Sequence, residues 1–327
     1  MTKKIKTAFL YTGPHHGHRT FAESVNAVFI SDKVEGFIIP NVSRFLQTFR
    51  GLGKIPKDTE VLICEGGSSI FKGALWKTLN PKKKLVLIVD EPKLYYVQKM
   101  NSLKKRLYYS ALEKFDLFVP TTDFAQSFVP KHLQKKCVQA PMSIEVSRFE
   151  RIKPNLASKN LAYVGGLIPL KGLDHMVDIM NGLKKEFPET KLVLVGDGPL
   201  RQKMEGIEGV ECKGFSKEPE EFLKNASIYL QLSEYDAAGA AVLEAMTAGL
   251  IPIVYPTVGV CTEVAKIDEK LVVKSPEEAV QKIIKVWKDR KKLAADSKSA
   301  KKIGKRFTKE YAKKLFRKAI QTMFKKK

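Results

Sequence analysis

The sequence predicts an α/β protein made of two doubly wound parallel sheets, each with its own core. Short β-branched runs alternate with helix-period stretches in both halves, and the connections between them are short. The periodicity lapses once, between Phe149 and Lys159 around Pro154, where we place a domain boundary. We therefore predict domains at 1–152 and 153–305 and a terminal helical segment at 306–327. The 327 residues, 44% of them hydrophobic, suffice for two domains of ordinary size.

The cysteines and the apolar runs bear on the compartment. Cys64, Cys137, Cys212 and Cys261 are widely spaced and form no CxxC pair, which predicts a reduced, cytoplasmic protein without disulfides or a zinc site. No apolar run approaches the roughly 20 residues that cross a bilayer. Lysines precede the apolar run Ala8–Tyr11, but a signal core needs about 7–15 residues, so we predict a first strand there.

The net charge of +23 is unevenly distributed along the chain. It is +11 over residues 1–150, −4 over 151–280 and +16 over 281–327. A uniformly basic chain would favour nucleic acid as a partner, whereas this pattern leaves three interpretations open. The basic ends are solvated helix faces, a surface for an anionic membrane, or a site for a polyanionic partner.

The sequence of the N-terminal half of the chain predicts strands joined by helices, as a parallel sheet requires. The predicted strands are Lys6–Thr12, Gly36–Ile39, Glu60–Cys64, Leu85–Val89, Leu117–Val119 and Cys137–Ala140. A loop with Gly17 at its end follows the first strand and precedes a helix at Thr20–Phe29, so backbone there turns tightly or passes close to a ligand. His15, His16 and His18 in this loop have no acidic or sulfur ligand nearby, which favours ordinary polar side chains over a metal site.

A predicted helix at Leu94–Phe115 combines an apolar face with tyrosines and basic residues. The apolar positions at helical spacing are Val97, Met100, Leu103, Leu107, Ala111 and Leu112. Such a helix either lies on a membrane interface or packs on the sheet with a solvated basic face, and we favour the second.

The second half repeats the alternation. The predicted strands are Leu161–Val164, Lys191–Val195, Val210–Gly214, Ile228–Leu232 and Ile251–Tyr255, and the predicted helices are Leu173–Glu186, 276–293, 296–304 and 308–324.

The stretch Ser227–Ala248 predicts a buried strand, a turn of small residues and a helix. The helix-start amides of Ala240, Ala241 and Val242 would lack intrahelical partners and favour an anion such as phosphate. Asp236 ends the strand and Glu244 lies about one turn into the helix. Both acids are placed to accept sugar or ribose hydroxyls. The alternative, an ordinary turn with solvated acids, stays open from these residues alone.

Several motifs in fixed order carry a resemblance to a known family. AYVGGLIPLKGLDHMVDIM, KLVLVGDGPL and SIYLQLSEYDAAGAAVLEAMTAG resemble the donor domain of family 4 glycosyltransferases, strongly over about 160–270. The N-terminal half and the final helix FTKEYAKKLFRKAIQTMF resemble it more weakly. The resemblance implies the GT-B fold, in which two Rossmann-like doubly wound domains face each other across a cleft and the C-terminal helix crosses back to the first domain. It also implies sugar transfer with retention and without a bound metal.

The resemblance assigns roles to matching residues. The family's acidic pair corresponds to Asp236, which implies contact with the donor sugar, and Glu244, which implies contact with the ribose. Gly239 matches the glycine of the turn, and Lys171 matches the lysine of the diphosphate clamp.

Three positions depart from the family pattern. Asp236 is one methylene shorter than the family's glutamate, and Gly166 stands where the clamp has arginine. Asp90 stands where the first domain often has a catalytic-site histidine. With half of the clamp missing, Lys171, the helix-start amides and Arg19 or another basic group would have to compensate the charge of the leaving diphosphate.

We therefore predict a hexosyltransferase-type enzyme, with Lys171, Asp236 and Asp90 as catalytic residues. The donor is a nucleoside-diphosphate sugar whose diphosphate lies between Gly17 and the amides of 240–242, and no cofactor is expected. The predicted acceptor is a glycan or a polyprenyl-linked molecule, and an anionic membrane surface is a predicted partner at the inner face. A catalytically degenerate GT-B protein that binds nucleotide-sugar or a partner is the first alternative. A nucleic-acid-binding protein, supported by charge alone, is the least favoured.

Overall fold

The computed structural model describes residues 5–11, 16–31, 52–67, 69–90 and 92–324. The chain divides into two compact units, one formed by Met1–Ser143 with Lys309–Lys327 and the other by Ile144–Thr308. Across the described ranges, no helix is long and apolar enough to cross a membrane.

The first unit contains a parallel sheet whose described strands follow the order β2-β1-β3-β4-β5. They are β1 Thr7–Tyr11, β2 Val28–Ser31, β3 Val61–Cys64, β4 Lys84–Val89 and β5 Leu117–Pro120. Its helices before the domain boundary are α1 His16–Ser24, α2 Ser69–Leu79, α3 Lys93–Gln98, α4 Ser102–Leu112 and α5 Asp123–Ser127, with 3₁₀ turns at Leu52–Lys54 and Lys131–Lys136. Every residue of β3 and β5 is buried, as expected for strands covered on both faces.

The second unit contains a parallel sheet in the order β10-β9-β6-β7-β8. Its strands are β6 Leu161–Val164, β7 Leu192–Val195, β8 Val210–Gly214, β9 Ile228–Gln231 and β10 Ile251–Val254. Its helices are α6 Val146–Phe149, α7 Leu173–Lys184, α8 Arg201–Glu205, α9 Glu220–Leu223, α10 Ala240–Ala248, α11 Cys261–Ala265, α12 Pro276–Lys288 and α13 Arg290–Gly304, with 3₁₀ turns at Pro169–Lys171 and Glu269–Leu271. The strands predicted for this half all form.

The last helix, α14 Lys309–Thr322, belongs to the first unit. Phe316 of α14 stacks on Phe21 of α1 with ring centroids 4.6 Å apart, and both side chains are buried. The C-terminal helix therefore packs on the first unit, as the predicted fold requires.

The first predicted helix, Thr20–Phe29, is wrong at both ends. The helix begins at His16, so Gly17 lies inside α1 and not in a loop. It ends at Ser24 because Asn26 adopts a left-handed conformation with φ of 52°, which asparagine tolerates better than most residues. Phe29 belongs to β2. The predicted strand Gly36–Ile39 lies outside the described residues.

Two further predictions in this half are corrected. The segment Cys137–Ala140 is not a strand; it donates two amides to β5 and forms one isolated bridge before Pro141, which has no amide to continue the pairing. The single helix predicted at Leu94–Phe115 is two helices. Asn101 caps the second one, because its side chain accepts a hydrogen bond from the Lys104 amide at 3.1 Å.

The favoured packing on the sheet is wrong for the first turns of α4, although Leu94 and Val97 of α3 are buried. Only Ala111 and Leu112 of α4 are buried, whereas Leu103 and Leu107 are 80% and 60% exposed. The two leucines therefore face away from the sheet.

The strand orders place ligand-binding crevices at defined positions. In the second unit, β7 and β8 lie on one side of β6 and β9 and β10 lie on the other, so the winding direction reverses between β6 and β9. Open α/β sheets bind ligands at such a reversal, outside the carboxyl ends of the strands. The loops that follow β6 and β9 carry the predicted site residues of this unit. In the first unit the reversal lies between β1 and β3.

Candidate functional site

A tyrosine hydroxyl separates the two central strands of the second unit. β6 and β9 are paired only at Leu161–Ile228 and Ala162–Tyr229. Beyond that point the Tyr229 hydroxyl lies 3.2 Å from the Val164 carbonyl and 3.0 Å from Gln231 Oε1. The strands diverge there, and side chains from both following loops enter the gap.

Lys171 and Asp236 meet in this crevice. Lys171 Nζ donates to Asp236 Oδ2 at 2.9 Å, and the side chains are 22% and 20% exposed. Gln231 Nε2 donates to the same carboxylate oxygen at 3.1 Å, and the Gly239 amide donates to Oδ1 at 2.9 Å. The cation and the carboxylate thus neutralise each other in the unliganded protein. A bound diphosphate would compete with Asp236 for the lysine.

The backbone of Asp236 is fixed by the segment that follows β10. Its amide donates to the Thr257 carbonyl at 3.2 Å, and its carbonyl accepts from the Gly259 amide at 2.7 Å. The carboxylate is therefore held by its side-chain partners and by its main chain, so its direction is set before any ligand arrives.

Helix α10 starts beside this carboxylate. Gly239 precedes it with φ of 60°, and a Cβ there would lie 2.4 Å from Val260 Cγ2, so glycine is needed at this turn. The prediction of three unpaired amides is wrong for Val242, whose amide donates to the Gly239 carbonyl at 3.1 Å because the first turn tightens. The amides of Ala240 and Ala241 make no hydrogen bond within the part of the chain that the structure describes. Two donors are therefore available to an anion.

The loop after β6 brings Lys171 to the crevice. Gly172 begins α7 with φ of 66°, and a Cβ there would lie 2.2 Å from the Leu232 carbonyl oxygen, so the loop after β6 passes directly against the loop after β9. Gly166 differs, because a Cβ built on it has no neighbour closer than Ile168 Cγ2 at 4.0 Å. The first atom of a side chain at 166 would therefore meet no close neighbour.

Glu244 lies half-buried on α10. Burial raises the pKa of its carboxyl to about 7; nearby Arg148 lowers it, while Glu220 and Glu145 raise it. The carboxylate has no hydrogen-bond partner among the described residues. An acid without a partner, a turn away from the unpaired amides, is suited to accept ligand hydroxyls.

Sequence reasoning missed Arg148 and Glu220. Arg148 Nε donates to Glu220 Oε1 at 3.0 Å and its NH2 donates to Oε2 at 2.6 Å, a bidentate pair in which the Glu220 side chain is 2% exposed. The partners are 72 residues apart, so no local pattern indicates the contact.

In the first unit, three charged side chains meet at the carboxyl ends of β1, β3 and β4. His18 Nδ1 contacts the Glu65 carboxylate, and its Nε2 lies 2.5 Å from Asp90 Oδ2. Burial lowers the pKa of His18, but the Asp90 and Glu65 carboxylates outweigh it and raise that pKa to about 10. The expectation of an ordinary polar loop histidine is wrong, since His18 is buried in α1 between two carboxylates that favour its protonated form. Glu65 was missed, although it directly follows the buried strand β3, as Asp90 follows β4.

The other predicted residues divide between the units. Gly17 and Asp90 lie in the first unit, and their predicted roles at the donor stay predictions; Gly166, Lys171, Asp236, Gly239, Ala240, Ala241, Val242 and Glu244 lie in the second. Arg19 is exposed on α1 and pairs with Glu23 at 3.0 Å. Within the described ranges no group of three His, Cys, Asp or Glu side chains could hold a metal ion, and His15 lies outside those ranges.

The His18 cluster predicts a pH-dependent stability. In the unfolded chain His18 would titrate near its ordinary pKa of 6.5, and in the fold near 10. Its contribution, on the order of a few kcal/mol, is therefore full below about pH 6.5 and lost as pH rises through 10. Denaturant unfolding between pH 6 and 10 should show His18→Gln less stable at pH 6 and less dependent on pH than wild type. His132→Gln, which changes an exposed histidine paired with Glu113, is the control and should keep the wild-type slope.

Comparison with known proteins identifies the class of protein that residues 147–303 resemble. Residues 147–303 match the family described as glycosyl transferases group 1. An uncharacterized glycosyltransferase of Methanocaldococcus jannaschii is 21% identical over 202 residues, which cover 55% of this chain and 50% of that protein. The chain thus spans about half the length of this curated relative. Residues 147–303 are therefore similar to group 1 glycosyl transferases, and the resemblance to family 4 is confirmed.

Solved structures match the whole described fold. Anabaena HepE in complex with UDP and glucose superposes with a TM-score of 0.73 at 14% identity, covering 97% of this chain and 100% of that one. Sucrose-phosphate synthase from Thermosynechococcus elongatus gives a TM-score of 0.78 at 14% identity, covering 98% and 99%. The predicted GT-B fold is confirmed.

Proposed function

We propose that this protein is a retaining, metal-independent hexosyltransferase that moves a sugar from a nucleoside-diphosphate sugar to a hydroxyl acceptor. One observation carries the proposal: a lysine, a carboxylate and two unpaired helix-start amides converge where the second sheet reverses its winding. Cations and amide donors suit a diphosphate, and a neighbouring carboxylate suits sugar hydroxyls.

Donor binding would exchange partners within the crevice. The diphosphate accepts hydrogen bonds from the Ala240 and Ala241 amides and draws Lys171 away from Asp236. The freed Oδ2 of Asp236 then accepts a hydroxyl of the donor sugar, while Oδ1 stays bound to the Gly239 amide. The lysine is thus paired with an anion in both the free and the bound protein, and both oxygens of Asp236 keep a hydrogen-bond donor.

Transfer itself would depend on the charge of the leaving group. As the bond between sugar and diphosphate breaks, negative charge grows on the diphosphate, and a lysine beside it stabilises the transition state more than the bound donor. Glu244, which lacks a partner among described residues, would accept the ribose hydroxyls and fix the nucleotide. Asp90, held by His18, is our candidate for the acceptor side of the reaction.

We take UDP-glucose as the first donor to test, because Anabaena HepE, which shares this fold, was solved with UDP and glucose. For the acceptor we propose a glycan or a polyprenyl-linked molecule at the inner face of a membrane. The charge of the first 150 residues, +11, supports a negatively charged environment.

A second candidate is a protein that binds nucleotide-sugar without transferring it. Gly166 leaves the clamp with one cation, and that cation is neutralised by Asp236. Binding alone would survive this loss better than catalysis would.

Thermal unfolding with a panel of nucleoside-diphosphate sugars tests the shared part of both candidates. A ligand at about 100 times its dissociation constant stabilises the fold by about 2.7 kcal/mol. We expect a rise in the unfolding temperature with one base and sugar combination, and a smaller rise in Glu244→Gln. If no donor raises the unfolding temperature, both candidate functions are excluded. Release of free sugar from a bound donor separates them, since only the transferase hydrolyses its donor slowly when acceptor is absent.

A further inference from the structure

Two exposed leucines mark a surface of the first unit that nothing in the described structure covers. Leu103 and Leu107 are one turn apart on α4 and are 80% and 60% exposed. Ser110 continues the same side of the helix, so the outward side of α4 is the side that carries both leucines. We call Leu103 and Leu107 the α4 patch.

Basic residues surround the α4 patch. Between Lys93 and Leu112 the sequence contains five lysines or arginines and no acid. Lys104 and Arg106 flank the leucines on the two sides of the helix and are both exposed. Neither forms an ion pair with a described residue. Their positive charge is therefore available to a partner.

The size and charge of the α4 patch together identify the partner. Two leucines provide far less than the ~800 Å² that each side buries in a stable protein complex. Apolar side chains ringed by lysine and arginine instead match an anionic bilayer, where leucines enter the acyl boundary and cations meet lipid phosphates.

The position of the patch connects it with the ligand-binding edge of the unit. Helix α3 begins at Lys93, three residues after Asp90 at the carboxyl end of β4, and α4 packs against α3. The chain thus runs directly from the ligand-binding edge at Asp90 into the helices that lead to the α4 patch.

We propose that α4 docks this protein on an anionic phospholipid surface, with Leu103 and Leu107 inserted and Lys104 and Arg106 at the headgroups. This inference rests on the membrane location in the proposed function and names the helix that contacts the membrane. It is tested without donor or acceptor, so it holds or fails independently of transfer.

The experiment is sedimentation of the full chain with vesicles of phosphatidylcholine, with and without phosphatidylglycerol. Wild type should bind the anionic vesicles at low salt, bind neutral vesicles at least tenfold more weakly, and be released by high salt. Leu103→Ser/Leu107→Ser and, separately, Lys104→Glu/Arg106→Glu should each weaken anionic binding at least tenfold.

Matched control variants distinguish membrane binding through α4 from binding through the net positive charge of the whole protein. Leu79→Ser removes a leucine of α2 that is 70% exposed, and Lys298→Glu/Lys302→Glu makes the same charge change on α13. Both controls should bind as wild type does. The proposal is overturned if wild type binds neither vesicle, or if the control charge pair weakens binding as much as the α4 pair. It is equally overturned if wild type binds no vesicle and forms a dimer that Leu103→Ser/Leu107→Ser abolishes.

Discussion

We expect Lys171→Ala to lower turnover by about 10²- to 10³-fold, the loss that follows removal of one preorganised donor from a developing negative charge. The structure gives a reason to expect a loss of turnover near the upper end of this range. Gly166 supplies no second cation, and Arg19 is engaged with Glu23 on the surface of α1. Donor affinity should fall much less, because the Ala240 and Ala241 amides and Glu244 remain.

The measurement is turnover and donor affinity for wild type and variant, with Lys203→Ala as control. Lys203 also forms a lysine–aspartate pair, with Asp174 at 2.6 Å, but it lies outside the crevice. The control should retain wild-type turnover. A Lys171→Ala enzyme with full turnover would show that the diphosphate binds elsewhere.

Gly166→Arg tests the same clamp by addition. A Cβ at 166 has no neighbour closer than 4.0 Å, so the side chain should be tolerated. The new guanidinium should tighten donor binding, raise turnover and partly restore Lys171→Ala. Lower activity in Gly166→Arg would mean that another basic group already occupies that space.

The second large effect concerns Glu244 and pH. Burial raises the pKa of this carboxyl to about 7, and only the ionised form accepts two hydroxyl hydrogen bonds. Nucleotide affinity should therefore be highest above pH 7 and fall by up to about tenfold per pH unit below it. Glu244→Gln should weaken nucleotide binding by about 1.5–3 kcal/mol at pH 8 and remove the dependence on pH between 6 and 8.

Calorimetric titration of nucleoside diphosphate between pH 6 and 8 measures both the nucleotide affinity and its dependence on pH. Glu234→Gln, which changes an exposed acid in the loop between β9 and α10, should behave as wild type. Equal affinities for wild type and Glu244→Gln at every pH would remove Glu244 from the nucleotide site.

Periodicity located nine of the ten described strands, because buried parallel strands are continuous apolar runs that depend on their own residues. It missed β2, a mostly exposed strand that was predicted as the end of a helix, and it predicted a false strand at Cys137–Ala140. Helix ends were predicted less well, since single residues decide them. Asn26 ends α1 by adopting a left-handed conformation, Asn101 starts α4 as a cap, and Asp289 caps α13 earlier than the pattern indicates. The exposure of Leu103 was unpredictable for another reason: an apolar stripe does not say whether anything packs on it.

The predicted site residues show the same contrast between local patterns and contacts over long sequence distances. Residues close in sequence, such as Asp236, Gly239 and Glu244, were located because a strand–turn–helix unit fixes their arrangement. Contacts between distant segments were not. The Lys171–Asp236 pair spans 65 residues and brings together two side chains that the sequence assigned to different parts of the donor. His18 meets Asp90 across 72 residues, a contact that depends on the order of strands in the sheet.

The most direct test of the account is proton and phosphorus NMR of a bound nucleoside-diphosphate sugar incubated with the enzyme alone. We predict slow release of free sugar and intact nucleoside diphosphate, with the sugar first appearing in the donor's anomeric configuration and Lys171→Ala at least 100-fold slower. An intact donor after prolonged incubation would contradict transfer and leave a binding protein. Release of nucleoside monophosphate with sugar phosphate would contradict the site itself, because the bond broken would be the one between the two phosphates.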